Sequence, residues 1–311
     1  VAKRIAPVWL HPDVAQALSL AVRLCAVAQL IGLLELALAR AELARGGFLD
    51  WSMIGILSPR ARTRVGSALR RAFRRLSARA FAGLMALEAL VAGTLLAWPS
   101  RWPLIVAGAA LQVVAMKRHH LTIDGSDQMV LVVLVTCGLG RVGAEAAATR
   151  AAVWFLAAEL TLAYVVSGVY KAASTYWRSD GALAMLVQTR MYGQPRAARV
   201  VAAHPAVATA AGYAVFCWES LFFVALTAPP GVAAAMLALG LAFHAGCAIV
   251  MGLNRFVWAF AASYPAVLCT NAAIRSQLGA HAASTVAVVT AAAGVTCLVF
   301  VARPRAALSR A

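Results

Sequence analysis

Residues 230–252 read PGVAAAMLALGLAFHAGCAIVMG, with no Asp, Glu, Lys or Arg and a single histidine, His244. A helix that crosses a bilayer needs roughly 20 consecutive apolar residues, so this stretch alone is long enough to do so. A turn signal, Ala228-Pro229-Pro230-Gly231, opens it, and the polar pair Asn254-Arg255 follows its end. Working outward in both directions, the same pattern recurs. The sequence predicts nine spans, at about 14–39, 80–98, 102–117, 127–146, 150–171, 206–227, 230–252, 256–276 and 283–303. The 102–117 run is short, and Phe48–Pro59 reads as interfacial or re-entrant. Composition agrees, with 63% hydrophobic residues, 13% charged and a mean hydropathy of +0.81. A soluble domain carries about 25% charged residues, so this much apolar surface exceeds what one aqueous core absorbs. The expected fold is all-α: a polytopic transmembrane helical bundle of about 8–9 spans, one domain over 1–311 with no extramembrane domain. Lys3 and Arg4 precede a first apolar run too long for the core of a cleavable signal peptide.

The net charge is +17. On a soluble chain this would suggest nucleic acid. Here the basic residues flank apolar runs, where they anchor helix ends, and the most basic segment offers only Phe73 for base stacking. That segment, Arg60–Arg79, holds eight arginines and no acid, with Val65, Leu69, Phe73 and Leu76 between them. The spacing fits a basic amphipathic helix at a membrane surface. It serves either as a topology-setting cytoplasmic loop or as a dock for a partner protein or anionic lipid. With nine spans, 20 basic residues fall on one side and 6 on the other, which places the C-terminus in the cytoplasm of a multi-pass cell-membrane protein. The six cysteines form no C-x-x-C pair and lie in apolar runs, so neither a disulfide framework nor a metal site is expected.

Ionisable groups inside apolar spans are costly, and each is a candidate site residue. Three clusters stand out. The first is His119-His120-Leu121-Thr122-Ile123-Asp124-Gly125-Ser126-Asp127-Gln128, which could hold a proton relay, a metal at non-standard spacing or a polar head group, or could be a polar loop with Asp127 capping the next helix. The second is Tyr164, Ser167, Gly168 and Lys171, followed by Trp177 and Asp180. The first four are spaced i, i+3, i+4, i+7 and share one helix face. Lys171 either snorkels to the interface or acts as a desolvated base. The third comprises Glu219, His244 and Asn254, in or at the end of later spans. Further charges within spans are Arg23, Glu35, Glu88 and Glu159. Two spans separate the 119–128 loop from Lys171, so both are expected on one face of the membrane, around a shared pocket.

The stretch Tyr164–Ala184, YVVSGVYKAASTYWRSDGALA, resembles the Y-x-x-(S/A)-G-x-x-K element, followed by Trp and Gly, of the HTTM family. That family includes the membrane domain of vitamin K-dependent gamma-carboxylase. HHLTIDGSDQ resembles the loop that carries the carboxylase's Asn-His pair, with His119 in the Asn position. Phe243–Pro265, FHAGCAIVMGLNRFVWAFAASYP, resembles the later F-H…G-x-x-x-F…P element. The D-G-x-D-Q element is similar to short bacterial forms that mature a secreted peptide toxin. The resemblance implies Lys171 as the base that deprotonates a reduced menaquinone- or vitamin K-type quinol, with His120 orienting it. The polar clusters complete the expected cofactor site with His119, Asp124, Asp127, Gln128, Tyr164, Trp177, Glu219, His244 and Asn254, and no metal is predicted. Carboxylase- or epoxidase-like chemistry on a peptide or small substrate would follow. The alternatives are a maturation or immunity subunit working with a partner protein, and a lipid-binding or transport protein.

Overall fold

The computed structural model describes residues 13–43, 47, 77–118, 123–178, 182–189 and 193–302. The regular elements among these are all helical. They are α1 (Val14–Leu38), α2 (Ala78–Ala97), α3 (Trp102–Arg118), α4 (Gly125–Leu139), α5 (Ala146–Ala173), α6 (Ala182–Gln188), α7 (Pro195–Ala203), α8 (Pro205–Ser220), α9 (Pro230–Met251), α10 (Asn254–Ala261), α11 (Tyr264–Leu278) and α12 (Ala280–Ala302). Short 3-10 turns lie at Arg40–Leu43, Val142–Ala144 and Phe222–Leu226. The basic segment 60–79 falls largely outside the described residues; its last residues open α2, where the Ser77 side chain accepts from the Ala80 amide.

Among the described residues, six helical stretches are long and apolar enough to cross a membrane: α1, Arg79–Ala97, α5, α9, Asn254–Leu278 and Ala280–Leu298. A seventh arises if α7 and α8, bent by 104° at His204, count as one broken span. The chain is therefore a multi-helix membrane protein. Its outward residues agree, with Leu38 78% and Ile249 74% exposed, a pattern that water would penalise and lipid accepts.

Where the sequence predicts eight or nine spans, the difference lies in how helices stop. The 127–146 run ends at Leu139, and Gly143 takes a positive φ of 79°. α3 and α4, with 17 and 15 residues, rise only ~25 and ~22 Å at 1.5 Å per residue, short of a ~30 Å hydrocarbon layer. The 206–227 run breaks after Ser220 into the Phe222–Leu226 turn. Backbone freed inside a membrane needs partners, and here Asn271 and Arg275 supply them. Asn271 Nδ2 donates to the carbonyls of Ala225 and Ala228, each at 2.9 Å, and Arg275 Nη1 donates to that of Thr227 at 3.0 Å. The 256–276 run likewise turns at Ala262–Ser263, ahead of Pro265.

Contacts gather into two compact units. Among the described residues, the first comprises those within 13–17, 153–254 and 263–302; the second comprises those within 18–152 and 255–262. In the first, α9, α11 and α12 pack with the Phe222–Leu226 turn. In the second, α3 packs against both α2 and α4 over fully buried Leu95, Ile105, Val133 and Leu134. Gly138 lies at this seam, where an added methyl would be in ordinary contact with the Val106 and Ile105 side chains.

Candidate functional site

The first unit builds a site on one face of α5. Positions 164, 167, 168 and 171 align there, as their spacing predicts, and each meets a different partner. Lys171 Nζ donates to both carboxylate oxygens of Glu219, at 2.7 and 2.5 Å, and to Ser167 Oγ at 2.6 Å. An ammonium has three N–H donors, so these acceptors use all of them. Ser167 Oγ also lies 3.4 Å from Glu219 Oε1. The side chains of Lys171 and Glu219 are 16% and 3% exposed, and the Trp177 ring centroid is 5.5 Å from Nζ. Gly168 makes this possible. A methyl at that position would collide with the Ser220 amide nitrogen and hydroxyl and with Glu219 Cβ, so only glycine lets the end of α8 bring its carboxylate to Lys171.

One turn away, Tyr164 is buried and its hydroxyl sits between two partners: His244 Nε2 at 2.8 Å and the Tyr264 hydroxyl at 3.1 Å. Trp218 and Phe222 wall the Tyr164 ring, with centroids 4.9 and 4.5 Å away. The Trp218 indole is fixed by donating to the Met236 carbonyl at 3.1 Å. Gly240 clears the space, because a methyl there would strike the Tyr264 hydroxyl and the Trp218 ring. Glu219 and His244 of the third sequence cluster thus join the second. Tyr164, Ser167 and Lys171 come from α5, Glu219 from α8, His244 from α9 and Tyr264 from α11.

The second unit holds a different polar centre, starting at α4. Asp124 is its N-cap, accepting from the Ser126 amide at 2.8 Å, while the Asp127 carboxylate reaches back to the Asp124 amide at 3.2 Å. One alternative reading of the sequence made Asp127 the cap. The structure corrects this: Asp127 is the third helical residue of a reciprocal capping box, which frees its other oxygen. Arg255 Nη1 donates to that oxygen at 2.5 Å, and Nη2 to Asp124 Oδ2 at 3.2 Å. Arg255 Nε lies 3.6 Å from Glu35. Gln112 Nε2 also donates to Asp127, at 3.1 Å. The chain of contacts continues through Gln29 Nε2, which faces Glu88 Oε1 at 3.1 Å, Gln112 Oε1 at 3.3 Å and the Gly108 carbonyl at 3.3 Å. Gln29, Glu35, Glu88, Gln112, Asp127 and Arg255 line a cavity of about 240 Å³.

Of the residues expected at a site, His119 and His120 lie outside the described residues, as does Asp180. Lys171, Tyr164, Trp177, Glu219 and His244 gather in the first unit, and Asp124 and Asp127 belong to the second. Gln128 is exposed on α4, and Asn254 is exposed at the start of α10. Sequence reasoning passed over Gln29 and Gln112 because it ranked ionisable groups; a lone amide within an apolar run was the available signal. It counted Arg255 as a charge at a helix end, and Tyr264 carried no signal at all.

No family model, curated protein or solved structure matches this chain. Its function is therefore argued from its own geometry.

Proposed function

We propose that the chain is a membrane-embedded acid/base enzyme of the HTTM type, in which Lys171 takes a proton from a lipid-soluble quinol. The observation that carries this reading is the three-acceptor seat of Lys171 on Glu219 and Ser167. Two of the stretches behind the family resemblance meet beside it, through the contact of Tyr164 with His244. A proton that moves from Lys171 Nζ to Glu219 leaves a neutral amine beside a carboxylic acid, and no net charge enters the apolar layer. The neutral amine is a competent base. A proton taken from the quinol leaves an ammonium beside a carboxylic acid, its charge balanced by the quinolate, and the ammonium–carboxylate form returns when Glu219 gives up its proton. Ser167 holds Nζ in place throughout. The donor set suits a quinol: a bound quinol supplies a phenolic hydroxyl and a flat ring, and Lys171 with the Trp177 face could hold both. A peptide or small-molecule substrate, a partner protein and a cell-membrane location belong to the same reading.

The test uses purified chain in nanodiscs with reduced menaquinone under argon. Wild type is expected to bind it and show quinolate absorbance. Lys171→Ala is expected to lose the quinolate signal, and Glu219→Gln to weaken it about tenfold or more, within the range for acid/base groups. A wild-type protein that binds no quinol, or a Lys171→Ala protein with an unchanged signal, would overturn the proposal.

A further inference from the structure

The cavity of the second unit has more acceptors than its own donors satisfy. Its wall includes the carboxylates of Glu35, Glu88 and Asp127 and one cation, Arg255. That cation is committed, since its guanidinium faces Asp127, Asp124 and Glu35. Glu88 is only 3% exposed, and among the described residues it receives one hydrogen bond, from Gln29, and lies in no ion pair. Gln29 is 4% exposed and its Oε1 accepts no hydrogen bond. Turning the amide over does not help. Nε2 faces three acceptors, Glu88 Oε1, Gln112 Oε1 and the Gly108 carbonyl, so a flipped amide would set an oxygen against all three. The orphan acceptor is thus built in.

A buried carboxylate and a buried amide oxygen without donors each cost free energy until something supplies N–H bonds and positive charge. Among the described residues, an anion finds no free cation here. A neutral donor would leave the Glu88 charge uncompensated. About 240 Å³ is the volume of roughly eight waters at ~30 Å³ each, too large for a bare ion, and no three His, Cys, Asp or Glu among the described residues are placed to hold a metal. We infer that the cavity is a binding site for a primary ammonium group, seated on Glu88 and Gln29. Such a group has three N–H donors on one compact charge. Two sources share this chemistry: the headgroup of an aminophospholipid and a free small amine. The site shares no residue with the Lys171 cluster, so this inference does not rest on the quinol reading.

The experiment uses the full chain in nanodiscs of phosphatidylglycerol, which carries no amine. Ethanolamine and phosphatidylethanolamine are added separately, with ethylene glycol and tetramethylammonium as controls, and binding is read by native mass spectrometry and thermal midpoint. Wild type is expected to bind ethanolamine, phosphatidylethanolamine or both, and neither control. Binding of the lipid alone assigns the lipid source; binding of ethanolamine alone assigns the free amine. Glu88→Gln, which keeps the shape, is expected to weaken binding at least tenfold, and Gln29→Leu severalfold. Failure of wild type to bind either amine overturns the site, as does equal binding of ethylene glycol or full affinity in Glu88→Gln. The wild-type selectivity stands as a test even if a variant does not fold.

Discussion

The two polar centres solve the same problem in opposite ways. In the first unit one cation meets one carboxylate, Lys171 with Glu219, among aromatic rings and the hydroxyls of Ser167, Tyr164 and Tyr264. In the second, one cation, Arg255, meets three carboxylates, and an amide chain leads from them to a fourth, Glu88, beside a cavity. A balanced pair needs nothing more and can exchange one proton internally. An acceptor surplus next to open volume needs a guest. Counting charges and donors around each centre, rather than noting that both are polar, separates a reaction site from a binding site.

Breaking the ion pair of each centre tests that difference most strongly. Arg255→Met strands Asp127, whose side chain is 0% exposed, and should cost roughly 3–5 kcal/mol or more, read as the largest drop in stability by denaturation in mixed micelles. Adding Asp127→Asn should recover only part, because Asp124 and Glu35 remain. Glu219→Leu should cost a similar ~3 kcal/mol, but Lys171→Met with Glu219→Leu should recover most of it, since that pair has no third charge. Full recovery in both double variants would erase the contrast.

A smaller effect sharpens the geometry of the first unit. Gly168→Ala should lose about 1–3 kcal/mol through overpacking on Ser220 and part the Lys171–Glu219 contact. Gly93→Ala, with nothing within 4 Å, should be neutral or stabilise by up to ~1 kcal/mol. Equal thermal midpoints for the two alanine variants would show that the close approach at Gly168 does not position the pair. Smallest of all, Tyr164→Phe should cost about 1 kcal/mol by removing the hydroxyl shared by His244 and Tyr264; the His244 ring resonances in an NMR spectrum should shift, and unchanged resonances would break that link.

Apolar runs of the right length made the all-helical membrane fold legible from residues alone, because a bilayer forces backbone polar groups into helices. The shared face of Tyr164, Ser167, Gly168 and Lys171 was equally legible, because helical periodicity fixes it. What needed the tertiary structure was every partner: Glu219 from α8, His244 from α9, Tyr264 from α11, and Arg255, which is 128 residues from the Asp127 it holds. Breaks such as that after Ser220 were hidden as well. Hydropathy does not register a helix that stops early when a distant Asn271 or Arg275 supplies the missing hydrogen bonds. Periodicity is a local property of the chain, whereas charge balance and hydrogen-bond satisfaction are sums over neighbours that only folding assembles.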